Sequence, residues 1–402
     1  MSARPLPLCT NAESSLATRT VILARLDAPE QAHFQPHRRR NTLHSDSSSR
    51  PANTGAGFWA TSLQNAFSGI PSSPEADTPV TMAAIGSRGT VTEFRGFNAD
   101  EDAQKLRKGM KGVGTDESAI IEILSKRTIA QRQLIKQAFK KAVGKDLLDE
   151  LKGELTGNFE KVVVGLLMPS PVYSAYELRN AIKGAGTDEG CLIDILASQN
   201  NQEMRAIIAA YKNEYGKNLE DDVCSDTSGM FQRVLVSLLT ANRDESDSVD
   251  QAQAVQDAKD MFEAGEARWG TDEVKFLTVL CIRNRKHLLR VFEEYQKISN
   301  RDIEESIKRE MSGNLEDAFL AIVKCLRNKP AFFAERLYKS MKGLGTTDSI
   351  LIRVMVSRCE IDMLDVKAQF QKIYGKTLYS FIKGDCSGDY RNILLQLCGS
   401  DS

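Results

Sequence analysis

A short glycine-rich phrase occurs four times in this chain, and its recurrence constrains the fold more than any other feature. The four copies are Met110-Lys111-Gly112-Val113-Gly114-Thr115-Asp116-Glu117, Ile182-Lys183-Gly184-Ala185-Gly186-Thr187-Asp188-Glu189, Gly265-Glu266-Ala267-Arg268-Trp269-Gly270-Thr271-Asp272-Glu273 and Met341-Lys342-Gly343-Leu344-Gly345-Thr346-Thr347-Asp348. The glycines before the Thr are 72, 84 and 75 residues apart. Each unit is therefore about 70 residues of one supersecondary pattern, repeated and stacked on itself. The longest gap places a linker around Ala241 to Ala252.

Inside a unit the apolar spacing is helical. Ala119, Ile120, Ile123 and Leu124 share one helix face, and Leu134, Ile135, Ala138, Phe139 and Ala142 share the next. Thr115, Thr187, Thr271 and Thr346 stand where an N-cap is expected, with acids in the following turn. Segments such as Leu147 to Glu154 and Phe159 to Met168, the last stopped by Pro169, bring the count to about five short helices per unit. The fold class is all-α.

The chemistry emerges when each glycine is measured against the acids downstream. Glu154, Asp226, Glu310 and Asp385 lie 40 residues after Gly114, Gly186, Gly270 and Gly345, and each begins the pattern acid-x-(Ser or Thr)-Gly. A glycine loop can aim several backbone carbonyls at one point, and a carboxylate arriving from elsewhere adds two more oxygens. All-oxygen coordination suits Ca²⁺. About five such ligands and one negative charge leave a 6- to 8-coordinate ion underfilled, so a phosphate oxygen of an anionic lipid headgroup is the natural further ligand. The competing reading is a tight interhelical turn whose nearby acid merely caps a helix. Fourfold recurrence argues against it.

Composition removes other classes. With 53 Lys plus Arg against 54 Asp plus Glu, the formal net charge is -1, and no dense basic stretch marks nucleic-acid binding. The longest apolar run, Val162 to Met168, is far short of the ~18 residues that span a bilayer. His287 is the only histidine beyond the first 44 residues, so triads and zinc sites lack material, and it reads as an exposed or half-buried surface residue. The eight cysteines form no C-x-x-C pair and read as reduced thiols of a cytosolic protein. A phosphate-binding enzyme loop would need a third glycine and a preceding strand, which are missing, so no enzyme is expected. Eight of the eleven prolines precede Met82, and residues 1–91 are expected to be a disordered N-terminal extension.

The four Gly-x-Gly-Thr loops, with their acids 40 residues on, resemble the annexin family over residues 92 to 402. The resemblance implies four annexin-type repeats of about five helices each, forming a curved disc: repeat 1 at 92–168, repeat 2 at 169–241, repeat 3 at 253–326 and repeat 4 at 327–402. Carried over, the Ca²⁺ ligands are the carbonyls of Met110, Gly112 and Gly114 with Glu154, and those of Ile182, Gly184 and Gly186 with Asp226. In the third repeat they are Gly265, Arg268 and Gly270 with Glu310, and in the fourth Met341, Gly343 and Gly345 with Asp385. The implied partners are acidic phospholipid membranes, bound peripherally and reversibly, with self-association on them a further expectation and no nucleic acid. The implied location is cytoplasmic, with Ca²⁺-driven recruitment to plasma and vesicle membranes.

The sequence also departs from the family pattern. Arg127, Arg283 and Arg358 match its second-helix arginine, but repeat 2 carries Gln199, so the polar channel with Glu177, Asp194 and Arg353 is expected to lack one charge. A helical-repeat scaffold that binds protein partners without calcium is the alternative function.

Overall fold

The computed structural model describes residues 88–111, 114–184, 186–265, 272–343 and 345–401. Nineteen helices and no strands are found among them. The first group is α1 (Ala99–Gly109), α2 (Glu117–Ser125), α3 (Ile129–Val143), α4 (Leu147–Glu154) and α5 (Gly157–Leu166). The second is α6 (Ser170–Ala181), α7 (Glu189–Ser198), α8 (Asn201–Tyr215), α9 (Leu219–Asp226) and α10 (Gly229–Leu239). The third comprises α11 (Gln251–Ala264), α12 (Glu273–Ile282), α13 (Arg285–Ser299), α14 (Ile303–Glu310) and the start of α15 (Gly313–Met341). The fourth takes the rest of α15 with α16 (Asp348–Arg358), α17 (Met363–Tyr374), α18 (Leu378–Asp385) and α19 (Gly388–Cys398).

The single long helix α15 hides a junction. Asn328 has non-helical angles (φ -152°, ψ 92°), and its side chain accepts a hydrogen bond from Ala331 N at 3.0 Å, restarting the helix as an N-cap would. Pro330 follows in the first new turn, where its missing N–H has no partner to lose. Five helices per unit, expected from periodicity, are thus present four times, with one pair run together. The helix-free stretch between α10 and α11 lies where the linker was expected, and Ala252 already belongs to α11.

The groups close on one another in pairs. α2 and α5 of the first pack on α19 and α16 of the fourth, α10 of the second packs on α12 of the third, and α15 packs on α7. Residues 88–91 lie in the segment expected to be disordered, yet they are held against the fourth group. Arg88 N donates to Ile361 O and Val91 N to Cys359 O, and the Thr90 hydroxyl donates to Leu397 O at 2.5 Å. Gly89 is required there, because a Cβ would come within 2.5 Å of the Glu360 backbone. Residues 1–87 lie outside the described residues, and the expected disorder falls otherwise on them.

Several expected faces shift on inspection. Ile120, Ile123, Leu124, Ile135 and Phe139 are buried, whereas Leu134 is 48% exposed and Ala142 is at the surface. Arg132 takes the interior place instead, donating to Leu124 O at 2.7 Å and Leu166 O at 3.1 Å. His287 is likewise buried, not a surface residue, with Nε2 3.0 Å from the Asp257 carboxylate. That carboxylate also pairs with Arg283 at 2.6 and 2.9 Å.

Arg127 pairs with Asp102 in the same way, at 2.7 and 3.0 Å. In the second group the position matching Asp102 and Asp257, seven residues before the end of the first helix, is Ser174, and the position matching the arginine is Gln199. Acid and base are absent together, so no buried charge is stranded. Arg358 of the fourth group pairs with Asp362, four residues on, at 2.7 and 2.8 Å.

Candidate functional site

Each glycine phrase is a loop between the first and second helix of its group, closed by one backbone hydrogen bond. Asp116 N donates to Gly109 O (2.8 Å), Asp188 N to Ala181 O (2.9 Å), Asp272 N to Ala264 O (2.7 Å) and Thr347 N to Ser340 O (2.7 Å). The third closure spans one residue more than the others, which accounts for the longer third phrase. Gly114, Gly184, Gly186, Gly343 and Gly345 all have φ between 86° and 120°, a left-handed bend that disfavours any side chain.

The N-caps of the second helices are Asp116, Asp188, Asp272 and Thr347, one residue later than expected. Asp116 accepts from Ala119 N at 3.1 Å and Asp188 from Cys191 N at 2.9 Å. The displaced threonines face a different partner. Thr115 Oγ1 donates to the Glu154 carboxylate (3.2 Å), Thr346 Oγ1 to the Asp385 carboxylate (2.5 Å) and Thr187 Oγ1 to the Asp226 backbone carbonyl (3.3 Å). Three loops are therefore tied to the acids that the spacing of 40 singled out. The sequence reading missed these threonines as bridging groups, although their fixed place after the glycine was the available signal.

Glu154, Asp226, Glu310 and Asp385 are each the last residue of the fourth helix of their group. A carboxylate there meets the negative end of the helix dipole, which disfavours it by roughly 0.3–1 kcal/mol. The glycine that closes each acid-x-(Ser or Thr)-Gly pattern begins the next helix with φ between 60° and 69°. That backbone turns the chain sharply straight after the acid and leaves the carboxylate at the helix tip. Glu154, Asp226 and Asp385 are exposed and Glu310 is half-buried.

Of the remaining expected ligands, Gly114, Gly184, Gly186, Gly343 and Gly345 are exposed. Met110 is half-buried, and Ile182, Gly265 and Met341 are buried at the ends of the preceding helices. Gly112, Arg268 and Gly270 lie outside the described residues. The donor set fits a hard divalent cation: backbone carbonyl and carboxylate oxygens, with no nitrogen or sulfur contributed. Cys386, beside Asp385, has its thiol pushed up to about 11, chiefly by burial and then by the neighbouring carboxylates, so it stays protonated.

The polar centre expected to lack one charge is filled differently. Arg353 pairs with Asp194 at 3.0 Å and approaches Glu177 at 3.6 Å, and Arg336 reaches Asp194 at 2.8 Å from α15. Burial, opposed by Arg353, pushes the Glu177 carboxyl above its ordinary range. No described helix is long and apolar enough to cross a membrane.

The family model described as Annexin matches residues 101–166, 173–238, 256–322 and 332–397. The chain is 66% identical over 313 residues to annexin A4 of Rattus norvegicus, covering 78% of this chain and 98% of that protein. Among solved structures, annexin III superposes with a TM-score of 0.78 at 48% identity, over 80% of this chain and all of the other. A calcium-bound annexin (Sm)1 gives a TM-score of 0.69 at 35% identity, over 79% and 95% of the two chains.

Proposed function

The chain belongs to the annexin family, and from that premise we propose that it is a calcium-dependent phospholipid-binding protein. It attaches reversibly to acidic membrane surfaces through bridging Ca²⁺ ions and works in vesicle trafficking, exocytosis or membrane organisation. The observation that carries this reading is the placement of four carboxylates at the ends of four helices, where the helix dipole opposes them, with the Glu154 and Asp385 carboxylates tied to a glycine loop through a threonine hydroxyl and Asp226 tied through its backbone carbonyl. A cation offsets the charge that the fold leaves exposed.

Four repeats, 92–168, 169–241, 253–326 and 327–402, would each hold one ion. The carbonyls of Met110, Gly112 and Gly114 serve with Glu154, and those of Ile182, Gly184 and Gly186 with Asp226. Gly265, Arg268 and Gly270 serve with Glu310, and Met341, Gly343 and Gly345 with Asp385. The bound ion supplies positive charge and open coordination positions for phosphate oxygens of the lipid. The chain's own part is to hold the Glu154 and Asp385 carboxylates by threonine hydrogen bonds and to keep the loop glycines in a bend that leaves their backbone exposed. Binding, not catalysis, is the activity, in the cytoplasm and at the plasma and vesicle membranes to which calcium recruits it.

The test is vesicle co-sedimentation across a Ca²⁺ titration with Glu154→Gln, Asp226→Asn, Glu310→Gln and Asp385→Asn combined. Calcium bridging predicts lost binding at micromolar Ca²⁺, although removing four negative charges favours attraction to anionic lipid. A folded quadruple variant that binds as well as the parent would reject the mechanism and leave the calcium-independent scaffold ahead.

A further inference from the structure

A cavity of about 110 Å³ lies among the first, second and fourth groups of helices, and Ser174 and Gln199 are among its lining residues. These are the two positions at which the second group lacks the Arg–Asp pair of the first and third. The charged and polar atoms around the cavity are unevenly satisfied. On the acceptor side, Glu360 takes hydrogen bonds from Ile129 N (2.9 and 3.0 Å) and Arg132 Nη1 (2.9 Å). Asp194 is hydrogen-bonded to Arg353 through Oδ2, while its Oδ1 is buried beside Arg336 as an ion pair without a hydrogen bond, and Glu203 accepts from Asn200 N at 2.8 Å.

On the donor side three groups of the lining are left over: Arg132 Nη2, Arg353 Nε and the Tyr173 hydroxyl are buried with no hydrogen-bond partner. The three residues are 1%, 4% and 4% exposed. A buried donor without an acceptor costs about 1–3 kcal/mol, and more when it is charged. Three of them lining one cavity mark a place that calls for acceptors.

We propose that this central cavity is a binding site for a small tetrahedral oxyanion, which accepts hydrogen bonds from Arg132, Arg353 and Tyr173. None of the described residues of the four glycine phrases lines the cavity. Anion binding there is therefore calcium-independent and separable from attachment to membranes. The surrounding carboxylates do not exclude the guest, because Asp194 and Glu360 are each held by arginine and Glu177 is pushed toward its neutral form by burial. The occupant stiffens the contact between α3, α6 and α16, which belong to different groups.

The test uses the full chain in calcium-free buffer, with selenate as the crystallographic probe and sulfate in solution. An anomalous selenium peak between Arg132, Arg353 and Tyr173, together with saturable sulfate binding by calorimetry at constant ionic strength, is the expected result. Tyr173→Phe removes one donor and leaves the packing of the ring in place, and it should weaken sulfate by about fivefold or more. Arg353→Lys serves as the second variant and should weaken it further, because a lysine cannot present the same planar fork. Crystals with ordered water alone in the cavity, or sulfate affinity unchanged in both folded variants, would overturn the proposal.

Discussion

The Thr346 hydroxyl donates to the Asp385 carboxylate at 2.5 Å across 39 residues of sequence. The loop that precedes one helix is thereby joined to the end of another, and the carboxylate is fixed by the fold itself. Preorganisation of this kind lowers the ordering cost of binding.

If the hydroxyl orients the ligand, Thr346→Val combined with Thr115→Val should raise the Ca²⁺ needed for half-maximal vesicle binding by about two- to tenfold, the range expected for losing one hydrogen bond per site. Valine keeps the shape, and helix content by circular dichroism should not change. A Ca²⁺ midpoint identical to that of the parent would show that the threonines serve only the loop.

The acids at helix ends should separate stability from binding. In the presence of a chelator, Glu154→Gln and Asp385→Asn should each stabilise the fold slightly, by roughly 0.3–1 kcal/mol at low ionic strength, because a charge leaves the negative end of a dipole. Added calcium should stabilise the parent and do so less for the variants. Urea unfolding with and without calcium measures both, and lower stability of the variants in chelator would contradict the dipole argument.

Asp257 predicts an acid-sensitive interior. Burial alone would raise its carboxyl, but hydrogen bonds from His287 and Arg283, with the charge of Arg283, hold it down at about 2 against an ordinary 3.8. A folded value below the unfolded one means stability that is present above about pH 4 and is lost as pH falls toward 2. The linkage is worth roughly 2–3 kcal/mol. The parent should therefore lose more stability than Asp257→Asn between pH 4 and pH 2, having been more stable at neutral pH. Denaturation curves that stay parallel over that interval would refute the assignment.

Repeat number, helical class and the loop–acid pairing were all readable along the chain, because each depends on local periodicity or on one spacing repeated four times. The N-caps were placed one residue early. Thr115 and Asp116 are both good capping residues side by side, and the choice is made by the backbone bond from Asp116 to Gly109 and by Glu154 drawing the threonine away. Leu134 and Arg132 exchange places for a related reason. Arg132 meets carbonyls of α2 and α5 and a carboxylate from the fourth group, contacts that no window on α3 contains. His287 read as a surface residue because its partner, Asp257, is 30 residues earlier on another helix. Gln199 read as a lost charge, and only the observed helix ends, which set Ser174 at the position of Asp102 and Asp257, show that the acid went with it. The cavity itself draws on three groups and has no signature in any one of them.

Thr90 touches Leu397, so the beginning and end of the described chain meet. The described fold is topologically close to a loop fastened by a clasp, and the order in which its parts are synthesised is separable from the order in which they pack. A short peptide joining the two ends, with a cut near Val249 in the helix-free stretch before α11, would start the chain at the third group and finish it at the second. Every tertiary contact described above could still form, because no helix would be cut and the first and fourth groups would become neighbours in sequence as they already are in space.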